Sequence, residues 1–374
     1  MLTSNPGPAL GIGIYINPEG FSVLNYVGWT LIDIYGEISD VFAMSLFFFI
    51  SGFFVVRSFD KKKKSAFLFD RFKRMGIPSV CYAFIFGPYL TYAMTGWLMI
   101  GEYIPTPRPT LNTGVTWFLI TLLLFNVAYA YLCGEGWTVN IKFSVRTIFL
   151  STTAVGIVEA VIRLFINEGD HVFGIHRFFY AGCMYVLVFW GGAIAYRNDW
   201  MSGIKKMSRV TKIALYAGCI IQIIALFLLD WYKYDKWMST QSYGVQSVIK
   251  ILLSAFISAQ GAPTALWMLS ITTFFMDHMN FEIEAFSLTK TLSRAAYTAY
   301  LIQFMFPLQA SLASITAILN AQGENVHFSL DNLYIAFPQN YVFSYYMLTC
   351  LLAVTFNWLL AILIVSIPGV SQIL

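Results

Sequence analysis

Charge is what this 374-residue chain has least of: Asp, Glu, Lys and Arg make up 11% of it, against about a quarter in a soluble domain. That deficit excludes an ordinary water-soluble globular protein. Basic residues are absent before Arg57, so the opening segment MLTSNPGPALGIGIYINPEG lacks the basic n-region of a secretory signal. The five cysteines, at 81, 133, 183, 219 and 350, each sit inside an apolar run. Their odd number and scattered placement give no disulfide framework and no metal spacing, and they read as small apolar residues. There is no HExxH, no GxSxG and no P-loop, which removes the commonest signatures of zinc, serine and nucleotide chemistry.

What the chain has instead is apolar length. Hydrophobic residues are 58% and mean hydropathy is +0.67, with long apolar runs from end to end. Such runs predict an all-α fold, a polytopic bundle of transmembrane helices, because only a helix or a closed barrel satisfies its backbone inside lipid. Nine spans are expected, over roughly 41–56, 77–100, 115–133, 143–166, 178–196, 210–229, 247–275, 295–319 and 341–365. No linker or internal repeat divides the chain, so residues 1–374 read as a single domain, with 1–40 an outer N-terminal segment and 41–365 the bundle. Apolar positions Leu24, Val27, Leu31, Ile34 and Ile38 predict an amphipathic helix over 21–38, at the interface or lining a cavity, and the short first span is expected to extend back past Asp40. Gln260, Gly261 and Pro263 predict a kink or break in the seventh span.

The stretch VFAMSLFFFISGFFVVRSFDKKKKSAFLFDRFKRMGIP (41–78) sets the orientation. An apolar run stops at Arg57, Lys61 to Lys64 follow, and Arg71, Lys73 and Arg74 lead into the next run. Short loops rich in Lys and Arg stay cytoplasmic. With 57–76 inside, the alternate loops on that side hold 17 Lys and Arg and the opposite loops hold four. The C-terminus is then cytoplasmic and the N-terminus outside or lumenal, in a multi-pass integral membrane protein. Basic residues confined to a few turns report topology and attraction to anionic lipid, not a nucleic-acid partner.

Several residues could carry chemistry, each with a plainer alternative. Arg71 and Arg74 are three apart, which on an α-helix puts two guanidinium groups on one face. Such a pair can grip phosphate bidentately, with Lys73 adding a point charge, or can simply anchor lipid headgroups. Ser51 and Gly52 interrupt a run of large residues, as close helix packing requires. Glu159 and Arg163, at i and i+4 within the fourth span, are either a functional intramembrane pair or a structural one. His171 and His176, in the outer loop EGDHVFGIHR, suit a base acting on an external hydroxyl and equally an ordinary polar loop. Aromatic residues are 18% of the chain, and many Trp lie near span ends, as interfacial belts do.

Five stretches, in order, resemble the acyltransferase 3 family of membrane enzymes: FFFISGFFV (47–55), FLFDRFKRMGIP (67–78), TWFLITLLLF (116–125, led by Trp117), FWGGAIAYRNDW (189–200) and LSRAAYTAYLIQ (292–303, with Tyr297 and Gln303). The layout of the first two is similar to the glucan biosynthesis protein C branch. The resemblance implies an acyl group, commonly acetyl, taken from cytoplasmic acyl-CoA (acetyl-CoA) and passed to a hydroxyl of a sugar or other acceptor. It implies that Arg71 and Arg74, the family's Arg-x-x-Arg, meet the donor's phosphates. It also implies ten spans with a catalytic histidine in the first. The earliest histidine here is His171, and Gln303 stands where the late motif usually has histidine. The expectation is therefore a family member without its first helix, with no catalytic residue identified, no bound cofactor or metal, and little or no acyl transfer as it stands. A non-catalytic protein that binds the acyl donor or lipid is the alternative. A transporter ranks behind both, since no inverted repeat is visible.

Overall fold

The computed structural model describes residues 23–86, 116–133, 136–162, 178–234, 261–279, 287–303, 327–329, 334–336 and 342–367. Within them the chain is helical: α1 Val23–Asp60, α2 Lys64–Arg71, α3 Ile77–Cys81, α4 Trp117–Leu132, α5 Val145–Ile162, α6 Phe178–Arg197, α7 Trp200–Lys205, α8 Arg209–Tyr234, α9 Ala262–Phe274, α10 Ser287–Ile302 and α11 Val342–Val365. Three short stretches wind as π-helix, Phe72–Gly76, Tyr82–Phe86 and Phe275–Met279. Among the described residues the one non-helical ladder is a three-residue antiparallel pair, β1 His327–Ser329 with β2 Tyr334–Ala336, in which Phe328 faces Ile335.

Among the described residues three helical stretches are long and apolar enough to cross a membrane, Ile34–Asp60, Val145–Ile162 and Arg209–Phe227; Trp117–Leu132 and Cys350–Val365 are shorter apolar helices. The helix expected over 21–38 is present from Val23 and runs on without a break into the first span. Residues 23–60 form one continuous 38-residue helix, about 57 Å at 1.5 Å per residue, longer than the roughly 30 Å of bilayer hydrocarbon. The polar residues Asp33 and Glu37 interrupt the apolar pattern but nothing breaks the backbone, since no proline falls between Val23 and Asp60. Ile34 and Ile38 are buried with Leu226, beside Phe42 and Trp267. At the seventh span, α9 begins at Ala262, with Gly261 before it in extended backbone (φ −175°) and Pro263 in the first turn, where its missing N–H costs nothing. The part of that span before residue 261 lies outside the described residues, as does the second expected span beyond residue 86.

The chain forms two compact units interleaved along the sequence. The first comprises Ile34–Arg71 and Thr121–Glu282, the second Met1–Asp33, Phe72–Ile120 and Ile283–Leu374. In the first, α5 packs on α6 and on α9, and α8 on α9. Its tightest approach is between α1 and α6. A Cβ added at Gly52 would overlap the Phe189 carbonyl, and one added at Gly192 would overlap the Phe49 carbonyl. Small residues here let two backbones touch, which in lipid replaces the hydrophobic drive between helices. Aromatic rings fill the adjoining layer: Phe48 stacks on Tyr185 at 4.7 Å and tilts against Phe125, which meets Phe189.

Polar side chains stitch α8 to α9 in one antiparallel register. Lys212 pairs with Asp277 (2.7 Å) just beyond α9, Cys219 donates to Ser270 (3.3 Å), and Trp267 Nε1 donates to Gln222 Oε1 (3.0 Å). Inside a bilayer such bonds are modest, about 0.6 kcal/mol on average, but they fix which residues meet. In the second unit α10 packs on α11 through Ala295, Ala299 and Ala361, with Tyr82, Leu119, Leu301 and Ile302 closing the cluster. Asn357 Nδ2 donates to the Ala299 carbonyl at 3.0 Å.

Candidate functional site

The basic turn and the helix after it are built from the first unit outward. α1 ends at Asp60, the next three residues are lysines, and α2 starts at Lys64. Phe67 anchors α2: it is fully buried, edge-on to Phe59 at 5.2 Å, and Phe59 meets the buried Tyr129 at 5.6 Å. Tyr129 is itself backed by Trp190 and Trp137. Lys64 Nζ sits over the Tyr131 ring, 3.4 Å from its centroid. Lys62 bonds Asp70 at 2.6 Å, closing the turn onto α2. Two of the four lysines are thus committed to protein contacts, while Lys61 and Lys63 are exposed.

Arg71 ends α2 half-buried, its guanidinium carbon 5.1 Å from the Phe67 ring centroid, a cation–π contact with the same ring that anchors the helix. The chain then winds into the π-turn Phe72–Gly76, which carries Lys73, half-buried, and Arg74, exposed. The same-face reading of Arg71 and Arg74 is corrected by this. It assumes α-helical winding, whereas bonding from i to i+5 widens the turn after Arg71, and the two arginines differ in exposure. In the second unit the Tyr297 hydroxyl donates to the Arg74 carbonyl at 2.5 Å, and Ser79 Oγ to the Met75 carbonyl at 2.7 Å. A π-turn leaves backbone groups poorly served by their own helix and recurs at functional sites. Here a hydroxyl from α10 takes one of its carbonyls.

The other expected residues have settings of their own. Gly52 is buried at the α1–α6 crossing with Ser51 half-buried beside it, so both serve packing. Trp117 opens α4, edge-on to Phe118. Glu159 is 1% exposed, and its Oε1 accepts the Met184 N–H at 2.6 Å, bridging α5 to α6. Arg163, His171 and His176 lie outside the described residues. Gln303 occupies the turn that ends α10, half-buried. Among the described residues no group of three or more His, Cys, Asp or Glu could hold a metal ion.

Two features were missed from sequence. Arg197 forms a bidentate pair with Asp60, Nη1 to Oδ2 at 2.7 Å and Nη2 to Oδ1 at 2.8 Å, and the Tyr129 hydroxyl lies beside the same guanidinium. Next to it Asn198 donates to the Val139 carbonyl (2.7 Å) and accepts from the Ile141 N–H (3.2 Å), while Trp200 Nε1 donates to the Ile141 carbonyl (2.8 Å). Asp199 between them takes a left-handed conformation (φ 49°), which Asp tolerates better than most residues. The signal was the cluster YRNDW itself, charged and polar residues packed against the end of an apolar run.

Comparison with known proteins found no match among curated proteins and none among solved structures. Comparison with family models found one: the acyltransferase domain of the acyltransferase 3 family matches residues 12–362, running through both units and every stretch on which the resemblance rested. With nearly the whole length matched, and with helices suited to a bilayer at its centre, this chain belongs to the acyltransferase 3 family of membrane acyltransferases.

Proposed function

We propose that the chain moves an acyl group, acetyl in the simplest case, from cytoplasmic acyl-CoA to a hydroxyl of a sugar or other acceptor, with Arg71, Lys73 and Arg74 meeting the donor's phosphates. The observation that carries this reading is the continuous helical run from Lys64 to Gly76, with three basic side chains where α-helix gives way to π-turn. Coenzyme A presents a diphosphate and a further ribose phosphate. Guanidinium groups match such oxygens in planar, two-bond geometry, and an ammonium adds charge without direction. Supports of different kinds lie behind the two arginines: an aromatic ring under Arg71 and a hydroxyl on the carbonyl of Arg74.

The test follows label from acetyl-CoA in membranes containing the full chain. Base-labile ester label should appear in an acceptor fraction and fall sharply with Arg71→Ala/Arg74→Ala. No transfer above membranes lacking the chain, or transfer indifferent to both substitutions, overturns the reading. CoA binding that depends on Arg71, without any transfer, would instead identify a donor-binding protein that has lost turnover.

A further inference from the structure

Arg197 and Asp60 are 137 residues apart in the chain, yet their side chains meet in a two-bond, fork-to-carboxylate pair. The position of Asp60 makes this more than a tie between helix ends. Asp60 is the last residue of α1 and is followed at once by Lys61 to Lys64; Lys62 and Lys64 already meet Asp70 and Tyr131, and Lys61 and Lys63 are exposed cations able to compete for its carboxylate. The fixed fork of Arg197 occupies both carboxylate oxygens, and its 18% side-chain exposure shields the pair better than an open surface contact. One route of contacts runs from Asp60 to the basic helix. Phe59, next to it, packs on Phe67, and Phe67 carries the Arg71 guanidinium on its ring.

We propose that Arg197 is a positioning residue for the acyl donor. It holds Asp60 away from the turn lysines and fixes the start of the basic turn, so that α2 presents Arg71 on the Phe67 ring at the place where a donor phosphate binds. The proposal rests on the donor reading above and adds a residue from a distant stretch that does not touch the donor.

A double-mutant cycle tests it, read by titrating CoA into the detergent-solubilised full chain, with the melting temperature of each variant recorded. Arg197→Ala should weaken CoA binding by about 3- to 10-fold in the otherwise unaltered chain, the range expected for coupled neighbours. In an Arg71→Ala background the same substitution should change binding by less than about twofold, because its effect travels through Arg71. Arg197→Lys, which keeps charge but not the fork, should show most of the loss, and the exchange Asp60→Arg/Arg197→Asp should restore part of it. Arg197→Lys and the exchange carry the test if Arg197→Ala does not fold. A fall in melting temperature with unchanged CoA affinity, or an equal loss in both backgrounds, overturns the positioning role and leaves the pair structural. If Arg71→Ala leaves CoA binding unaltered, the donor reading itself fails, and the two failures are thereby told apart.

Discussion

The first unit sets its arginine on an aromatic ring beside a charge-pinned turn; in the second a hydroxyl bonds the backbone carbonyl of its arginine. In the first, Arg71 lies on Phe67, Phe67 is wedged against Phe59, and the turn before it is pinned by Asp60–Arg197 and Lys62–Asp70. In the second, Arg74 is exposed and its backbone carbonyl takes one bond from Tyr297, which stands on a helix pair packed through alanines. The difference teaches that the two arginines of one short motif are not equivalent. A side chain resting on a buried ring has its direction set before any ligand arrives, which cuts the entropy lost on binding. An exposed arginine whose backbone carbonyl is held by a neighbouring hydroxyl has its place in the chain fixed by that bond.

The largest effect that would break this comparison lies where the first unit is tightest. Gly52→Ala forces a methyl into the Phe189 carbonyl, a backbone atom that cannot turn aside, and should cost on the order of 3 kcal/mol. Gly191→Ala, one residue before the reciprocal contact at Gly192, meets open space and should leave thermal unfolding in detergent unchanged. Equal losses at the two positions would remove the close crossing from the account. Next is Glu159→Ala, which strips the buried bridge to the Met184 N–H. Unfolding should become easier by about 2 kcal/mol, while Glu159→Gln, still an acceptor, recovers much of it. Tyr297→Phe sharpens the second half of the comparison. It should lower stability by about 1 kcal/mol and weaken CoA binding only when Arg74 is present. The smallest effect belongs to Lys62→Ala, which breaks an exposed pair worth less than about 1 kcal/mol and should leave the melting temperature almost where it was.

How much of this was legible from residues alone differs from element to element. Helical spans read well where apolar runs were long and bounded by charge, as at α4, α5, α6 and α8, because in lipid a long apolar run has few other options. The Ser51–Gly52 interruption correctly pointed to close packing, but sequence could not show that Gly192 answers it from another helix. The spacing of Arg71 and Arg74 misled because a three-residue interval carries a face only if the winding is known. Nothing in FLFDRFKRMGIP announces the change to a π-turn after Arg71. The helical pattern over 21–38 was legible, but not how far the first span runs back past Asp40, because Asp33 and Glu37 break a hydrophobic pattern without breaking a backbone. The cluster YRNDW marked Arg197, but its partner Asp60, 137 residues away, was out of reach. The family was legible because its motifs are short, ordered and spread along the chain, and the match over 12–362 contains all five stretches.

The central claim is that this membrane acyltransferase takes its donor by the phosphates at Arg71 and Arg74. Titration of CoA into the solubilised full chain, with and without Arg71→Ala/Arg74→Ala, tests it most directly. Loss of a charge-assisted hydrogen bond of about 1.5–3 kcal/mol per arginine predicts that Kd rises at least about a hundredfold in the double variant, with the melting temperature preserved. Unchanged affinity in a folded double variant would contradict the account and move the donor elsewhere in the molecule.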